Sequence, residues 1–483
     1  MIGSLCFGSI VPAAGDHSGM SDQTNQQSVA AASVSPDFSG ELPISTPPSD
    51  AGGRYRWSIC ALLFFATTIN YIDRQILSYL KLFDQLHWTN QQFGWMNSAF
   101  QCAYAVGLFG FGRVVDRIGT KLGYALSIFA WSVAAMGHAL VGSVSGFITA
   151  RVFLGLGESG NFPSAIKTIS LWFPKKERAF ATSIFNSGAN IGPLIAPLII
   201  PWVIIHYGWH AAFLFAGLAG LIWLVFWTLL YQVPEKTPRL SRAELAYIDS
   251  DRDETHTEGT HPIGWKALLS RKQAWSFIVG KAFTDPVWWF FLIWLPSYFK
   301  QTRGLDLQHS WKPLVTIYGM VTVLSILGGW VPGRMIRAGW SVTLARKICM
   351  LVFALCVVPI IFATSVSTWA AVLLIGLAAS AHQAWSANLY STVSDMFPKR
   401  AVATLTGIGG TAGSATGILF PIYTGWLLDR FKASANETGG YTILFATCAF
   451  AYLVALFIMH LLAPRFEPVA IPESPRFEPN SPV

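Results

Sequence analysis

Apolar stretches long enough to cross about 30 Å of hydrocarbon recur from Trp57 to Ala463, each closed by a short polar or Gly/Pro-bearing break. They predict helices over 57 to 80, 93 to 115, 122 to 142, 146 to 173, 179 to 204 and 209 to 232, then 275 to 299, 312 to 336, 342 to 364, 367 to 392, 400 to 427 and 441 to 463. A helix satisfies its backbone hydrogen bonds internally, so lipid-length segments repeated in this way specify an all-α membrane protein with twelve transmembrane helices. The longest internal polar segment, Pro234 to Lys272, separates two six-helix bundles, 57 to 232 and 275 to 463, with 233 to 274 as linker. Within it Ser241 to Asp251 is amphipathic, with Ser241 placed as a helix N-cap. The ends, 1 to 56 and 464 to 483, lack an apolar period and are predicted to be disordered tails.

Composition removes the soluble alternatives. Of 483 residues 12% are charged and 53% hydrophobic, where a soluble chain carries roughly a quarter charged. The surplus apolar surface needs a lipid bilayer as solvent. The net charge of +8 is a matter of topology and not of nucleic-acid binding, because the basic residues occupy alternate loops. Arg113, Arg117, Lys121, Lys175, Lys176, Arg178, Arg239, Arg242, Arg271, Lys272, Arg334, Arg337, Arg346, Lys347, Lys399 and Arg400 share one side. The loops around 81 to 92, 143 to 146, 205 to 208 and 364 to 367 are nearly free of Lys and Arg. The positive-inside rule makes the first side cytoplasmic, with both termini there, in a multi-pass inner-membrane protein. Five of the six cysteines fall inside predicted helices, so no disulfide framework is readable. Met1 to Ala14 is apolar without a basic flank, which argues against a secretory signal, and Met20 is an alternative start. No Walker A loop, HExxH or metal-spaced Cys/His cluster is present, so neither an enzyme, a metal nor a cofactor is expected.

The halves echo one another. Phe173-Pro174 precedes a basic cluster, a small-residue helix and Pro197; Phe397-Pro398 precedes Lys399-Arg400, a Gly-rich helix and Pro421 at the same offset. A parallel six-plus-six repeat is the arrangement of secondary transporters that bind their cargo near the midplane. After the second helix, Gly112-Arg113-Val114-Val115-Asp116-Arg117-Ile118-Gly119-Thr120-Lys121 resembles the signature of the major facilitator superfamily. That resemblance implies the major facilitator fold, with Gly112, Asp116 and Arg117 in a cytoplasmic gate. The second copy, Gly329-Trp330-Val331-Pro332-Gly333-Arg334, has Gly333 where the first is acidic.

Asn70-Tyr71-Ile72-Asp73-Arg74, Arg151 with Gly157-Glu158-Ser159-Gly160-Asn161-Phe162-Pro163, and Trp172-Phe173-Pro174 resemble the anion:cation symporter family. Thr284-Asp285-Pro286-Val287-Trp288-Trp289-Phe290 and His382-Gln383-Ala384-Trp385-Ser386-Ala387-Asn388 look like bacterial hexuronate transporters. The resemblance implies proton-coupled symport of glucuronate or galacturonate by alternating access. Galactonate, glucarate, tartrate or phthalate as cargo, Na⁺ as coupling ion, and a membrane sensor that has kept the fold remain open. The expected partners are a small organic anion, protons and lipid, and a monomer is the expected unit. The eleventh helix has Gly410 where many relatives carry Asn, which leaves the sugar open.

Ionisable groups in membrane helices are functional candidates by default. Arg74 and Asp73 are adjacent, so they diverge by about 100° and do not neutralise one another. A guanidinium keeps its charge and matches a carboxylate, so Arg74 is the expected anchor of the acid group. The competing role is an inter-helix salt bridge to Glu158. Arg151 and Glu158, seven residues apart, share a face of the fourth helix about two turns apart, which lets both face the cavity, with Arg151 as supporting charge. Glu158 lies among glycines that permit close approach and burial, which makes it and Asp73 the proton-coupling candidates. Asp73 has a competing structural pairing with Arg151. Lys167 and Lys281 are read as snorkelling to the interface, and Asp285 as either a helix break or a ligand. Tyr71, Tyr104, Asn190, Trp288, Trp289, His382, Gln383, Trp385 and Ser386 supply hydroxyl partners and flat apolar surface for a sugar acid.

Overall fold

The computed structural model describes residues 53 to 83, 86 to 250 and 265 to 469, so the tails expected at either end fall almost wholly outside the described residues. The N-terminal half holds α1 (Tyr55–Leu80), α2 (Asn90–Ile118), α3 (Thr120–Gly137), α4 (Val144–Glu158), α5 (Asn161–Trp172), α6 (Lys175–Tyr207) and α7 (Trp209–Leu230). The linker carries α8 (Arg242–Asp249) and α9 (Trp265–Leu269). The C-terminal half holds α10 (Lys272–Arg303), α11 (Trp311–Arg337), α12 (Val342–Val357), α13 (Thr368–Met396), α14 (Lys399–Ala433) and α15 (Glu437–Leu462).

Two helices depart from the expected course. The span predicted over 146 to 173 breaks after Glu158: Ser159 turns back to bond the Leu156 carbonyl at 2.6 Å, and the chain restarts at Asn161 with Pro163 in the first turn. Counting α4 and α5 as one broken span, the described helices make twelve crossings. The span predicted over 342 to 364 winds into a 3₁₀ turn from Val358, where Pro359 lacks the donor an α-helix needs. Composition also assigned 464 onward to a tail, but its first residues are held: Phe466 N–H donates to Thr343 Oγ1 at 2.9 Å and Val469 N–H to the Met396 carbonyl at 2.7 Å.

The internal repeat is visible as matched helices. Pro174 and Pro398 precede α6 and α14, and Pro197 and Pro421 lie inside them at the same offset. Eight of the described helical segments are long and apolar enough to cross a membrane by length and composition. The four spans that fall short, α1, α2, α4–α5 and α14, carry the polar and glycine-rich faces that meet inside the protein. Phe129, Phe153, Leu229, Ile326 and Leu461 are exposed on outer surfaces, where lipid is their solvent.

The halves meet through α2 on α14, α6 on α11 and α1 on α10. At the end away from the linker this contact is tight. Gly94 and Gly425 face the backbones of Pro421 and Asn90, where a Cβ would overlap a carbonyl oxygen. Ser98 donates to the Ile418 carbonyl at 2.6 Å, Phe93 meets Trp294 edge-on at 4.9 Å, and Lys300 bonds the Leu82 carbonyl at 2.7 Å. The halves part toward the linker end and leave a cavity of about 960 Å³ that reaches from Arg74 to Trp265 and Leu269 of α9.

Candidate functional site

The N-terminal wall of the cavity exists because glycine lets α6 crowd against α1, and α4 against α2 and α3. A Cβ on Gly188 or Gly192 of α6 would lie 2.7 Å from the Phe64 carbonyl or 2.6 Å from Tyr71 Cβ of α1. On α4, a Cβ at Gly155 would lie 2.5 Å from the Phe100 carbonyl, and one at Gly157 2.6 Å from the Trp131 amide. Ser127 locks this contact by donating to the Gly157 carbonyl at 2.6 Å. Glu158 is thereby carried into the bundle with no exposed surface, as the last residue of α4 before the helix break.

Arg74 meets it there. Its Nε donates to Glu158 Oε2 at 2.6 Å, so the salt bridge weighed against substrate anchoring does form in this state. Arg74 nonetheless lines the cavity. Its guanidinium carbon lies 4.7 Å from the Tyr104 ring, 4.8 Å from Tyr71, 5.1 Å from Phe100 and 5.7 Å from Trp289, the last contributed by the C-terminal half. Aromatic faces favour a cation without neutralising it, so this box keeps Arg74 charged and in place whether or not Glu158 holds it.

The other charges stand behind this wall. Arg151 is buried, donates from Nη2 to Asn97 Oδ1 at 3.0 Å and lies over Phe100 at 4.8 Å. It borders a void of only about 20 Å³ behind Arg74 and not the main cavity, which corrects the expectation that it faces the cargo. Glu158 likewise reaches the cavity only through Arg74. Asp73 is buried, and among the described residues neither carboxylate oxygen has a hydrogen-bond partner; the pairing with Arg151 considered for it is not made. A carboxylate buried without a partner is costly.

The C-terminal wall brings together Trp288, Trp289 and His382, as expected, with Lys281, Asp285 and Tyr390. His382 Nδ1 shares a hydrogen bond with the Tyr452 hydroxyl at 2.6 Å, and its ring stacks on Trp288 at 5.4 Å and 6°. Lys281, expected to snorkel to the interface, instead pairs with Asp285 at 2.8 Å and with the Tyr390 hydroxyl at 2.9 Å. Sequence reasoning passed over it, although opposite charges four residues apart on an apolar helix were the available signal.

Trp385 is corrected outright: it is fully buried against Tyr452 in the core of the C-terminal half and does not line the cavity. Gln383 and Asn190 bond one another at 3.3 Å between the halves, and Ser386 is half-buried; none of the three lines the cavity. Asn388 ties α13 to Arg346 of α12. Of the residues expected in a gate, Asp116 pairs with Lys167 of its own half at 2.7 Å, and Arg117 is exposed beside it.

Comparison with known proteins places this geometry among carriers. A model of the Major Facilitator Superfamily matches residues 63 to 421. The hexuronate transporter of Escherichia coli K12 is 30% identical over 417 residues, covering 84% of this chain and 94% of that protein. The D-galactonate transporter of Escherichia coli CFT073 is 29% identical over 394 residues, covering 78% of this chain and 90% of that protein. A bacterial homolog of the human lysosomal transporter Spinster, solved in an inward-facing and occupied conformation, shares the fold. Its TM-score is 0.69 at 18% identity, over 86% of this chain and 98% of that one.

Proposed function

The chain belongs to the Major Facilitator Superfamily, a family of transporters and not of enzymes, and from that premise we propose that it imports a hexuronate such as glucuronate or galacturonate together with protons. The relatives that carry sugar acids support the cargo class. The observation that carries the mechanism is the Arg74–Glu158 pair, in which Arg74 lines the cavity and Glu158 lies behind it.

A substrate carboxylate and Glu158 compete for one guanidinium. With Glu158 ionised, Arg74 is neutralised and has little to offer an anion. A proton on Glu158 removes that competitor, and Arg74 then presents a free cation to the cavity, where the substrate carboxylate takes it. Loss of the proton restores the pair and expels the anion. Proton and substrate therefore enter and leave together, because either alone leaves a buried charge unpaired. Asp73, whose carboxylate has no hydrogen-bond partner among the described residues, is a second proton site. One proton with a monoanion is electroneutral, whereas two make the step electrogenic.

The basic clusters surround the linker end, which the positive-inside rule assigns to the cytoplasm. The conformation is then inward-facing with Glu158 back on Arg74, as expected after release. The halves 57 to 232 and 275 to 463 rock about this site, Asp116 exchanging Lys167 for the other half when the cytoplasmic end closes.

Uptake of radiolabelled glucuronate into proteoliposomes under an inward proton gradient tests the reading. Wild type is expected to accumulate label, Glu158→Gln to exchange it without accumulation, and Arg74→Ala to bind none. Gradient-driven accumulation by Glu158→Gln would sink the coupling assignment. The similarity to a D-galactonate transporter favours one second reading, an aldonate as cargo at the same site. Wild type that ignores glucuronate but takes up galactonate would select it.

A further inference from the structure

The two walls of the cavity hold their cations differently. Arg74 and Glu158 lie on separate helices, α1 and α4, so the pair can part when helices shift or a proton arrives. Lys281 and Asp285 lie one turn apart on α10, and their ion pair travels with that helix. Its side chains are 6% and 19% exposed, and both residues border the cavity. Tyr390 of α13 holds Lys281 from the other side, its hydroxyl at 2.9 Å and its ring 4.5 Å from Nζ. Gly413 of α14 leaves the space for this arrangement, since a Cβ there would overlap the Asp285 carboxylate. Lys281 is therefore already neutralised by its own helix. Asp285 meets Lys281 through Oδ2, and its carboxylate borders the cavity.

We propose that the Lys281–Asp285–Tyr390 cluster binds the hydroxylated, uncharged end of the substrate and selects sugar acids with one carboxylate over those with two. This rests on the sugar-acid reading above and deepens it. Vicinal hydroxyls donate to the Asp285 carboxylate and share a hydrogen bond with the Tyr390 hydroxyl, which serves as donor or acceptor. A second carboxylate at the same place meets Asp285 as a like charge and finds Lys281 occupied. Exclusion here works by an unfavourable contact with the wrong ligand, which discriminates more sharply than one more attractive contact with the right one.

The test is counterflow of labelled glucuronate in proteoliposomes, competed with unlabelled glucuronate or glucarate, which differ in the second carboxylate. Wild type is expected to admit glucarate at least tenfold less well than glucuronate. D285N frees Lys281 and is expected to shift that ratio toward glucarate by about tenfold or more. Tyr390→Phe keeps both charges and is expected to weaken glucuronate severalfold while still excluding glucarate. Ligand-induced thermal stabilisation of the purified proteins reads the same ratios in a variant that binds without transporting. Equal competition by the two acids in wild type, or a ratio unmoved by D285N, overturns the proposal while leaving the sugar-acid function intact. Failure of wild type to recognise either acid overturns both.

Discussion

The carboxylate of Asp429, in the last turns of α14, accepts the backbone N–H of Gln91 at 2.7 Å in the first turn of α2, across the boundary between the halves. Its other oxygen accepts the N–H of Asn90 at 2.9 Å. An anion at a helix N-terminus is stabilised by unsatisfied amides and the helix dipole, by about 1 kcal/mol at a partly exposed site. This contact exists only while the end away from the linker is closed. Asp429→Ala is therefore expected to shift the population about fivefold toward the state open at that end. Thiol labelling of Ser98→Cys, which is buried in the closed interface, reports the shift when Cys102 is replaced. Unchanged labelling would show that packing alone holds this end.

Arg74→Lys keeps a charge but loses the planar fork and the flat stacking that the aromatic box offers. Substrate affinity is expected to fall roughly 10- to 100-fold, with residual transport remaining. A titration of glucuronate binding measures it, and affinity equal to wild type would mean that charge alone is recognised.

Gly157→Ala forces a methyl against the Trp131 backbone, 2.6 Å from its amide nitrogen. Neither backbone can yield by changing a rotamer, so a cost of about 1–3 kcal/mol is expected from overpacking. The apparent melting temperature in detergent should drop by several degrees. Gly110→Ala, with open space around it, serves as the comparison and should stay near wild type.

The linker is tied down by a buried ionic knot. Arg56 at the start of α1 pairs with Glu177 at 2.9 Å and with Glu244 of α8 at 3.2 Å, and the Tyr247 hydroxyl of α8 reaches Glu177 at 2.8 Å. Without the Arg56 side chain, Glu244 keeps the backbone N–H groups of Tyr55 and residue 56 and Glu177 keeps the Tyr247 hydroxyl, so losing the charge-assisted bonds costs about 1–3 kcal/mol. Arg56→Ala is expected to release α8 from the N-terminal half, seen as faster amide hydrogen exchange across Arg242–Asp249. Protection equal to wild type would place the anchoring in the α1 backbone amides on Glu244 and the apolar contacts of Ile248 instead.

Much of the candidate site was legible because intramembrane charge is rare and therefore conspicuous. Arg74, Glu158, Tyr71, Tyr104, Trp288, Trp289 and His382 were all named from residue type and place along the chain, and all but Glu158 border the cavity directly. Trp385 and Ser386 were named on the same grounds, yet they do not line it. His382, Trp385 and Ser386 fall within an arc of about 100° on one face of α13, and which edge of that arc meets the cavity is set by how the helix packs against α11, α12 and α10. Lys281 was misplaced for a related reason: a lysine near a helix end reads as snorkelling until the partners Asp285 and Tyr390 are seen to hold it inward.

The sequence by itself determined the number of crossings, the division into halves and the side on which basic charge gathers. Each of these follows from the local solubility of a segment in lipid or water, a property that a run of about twenty residues carries on its own. The tertiary structure alone decided that Glu158, 84 positions from Arg74 in the chain, takes hold of its guanidinium, and that Trp289 of the other half completes the box around it. It alone also decided which end is closed. Those outcomes depend on the rotation and depth at which separate helices pack, which glycines and crossing neighbours set together and no single segment contains.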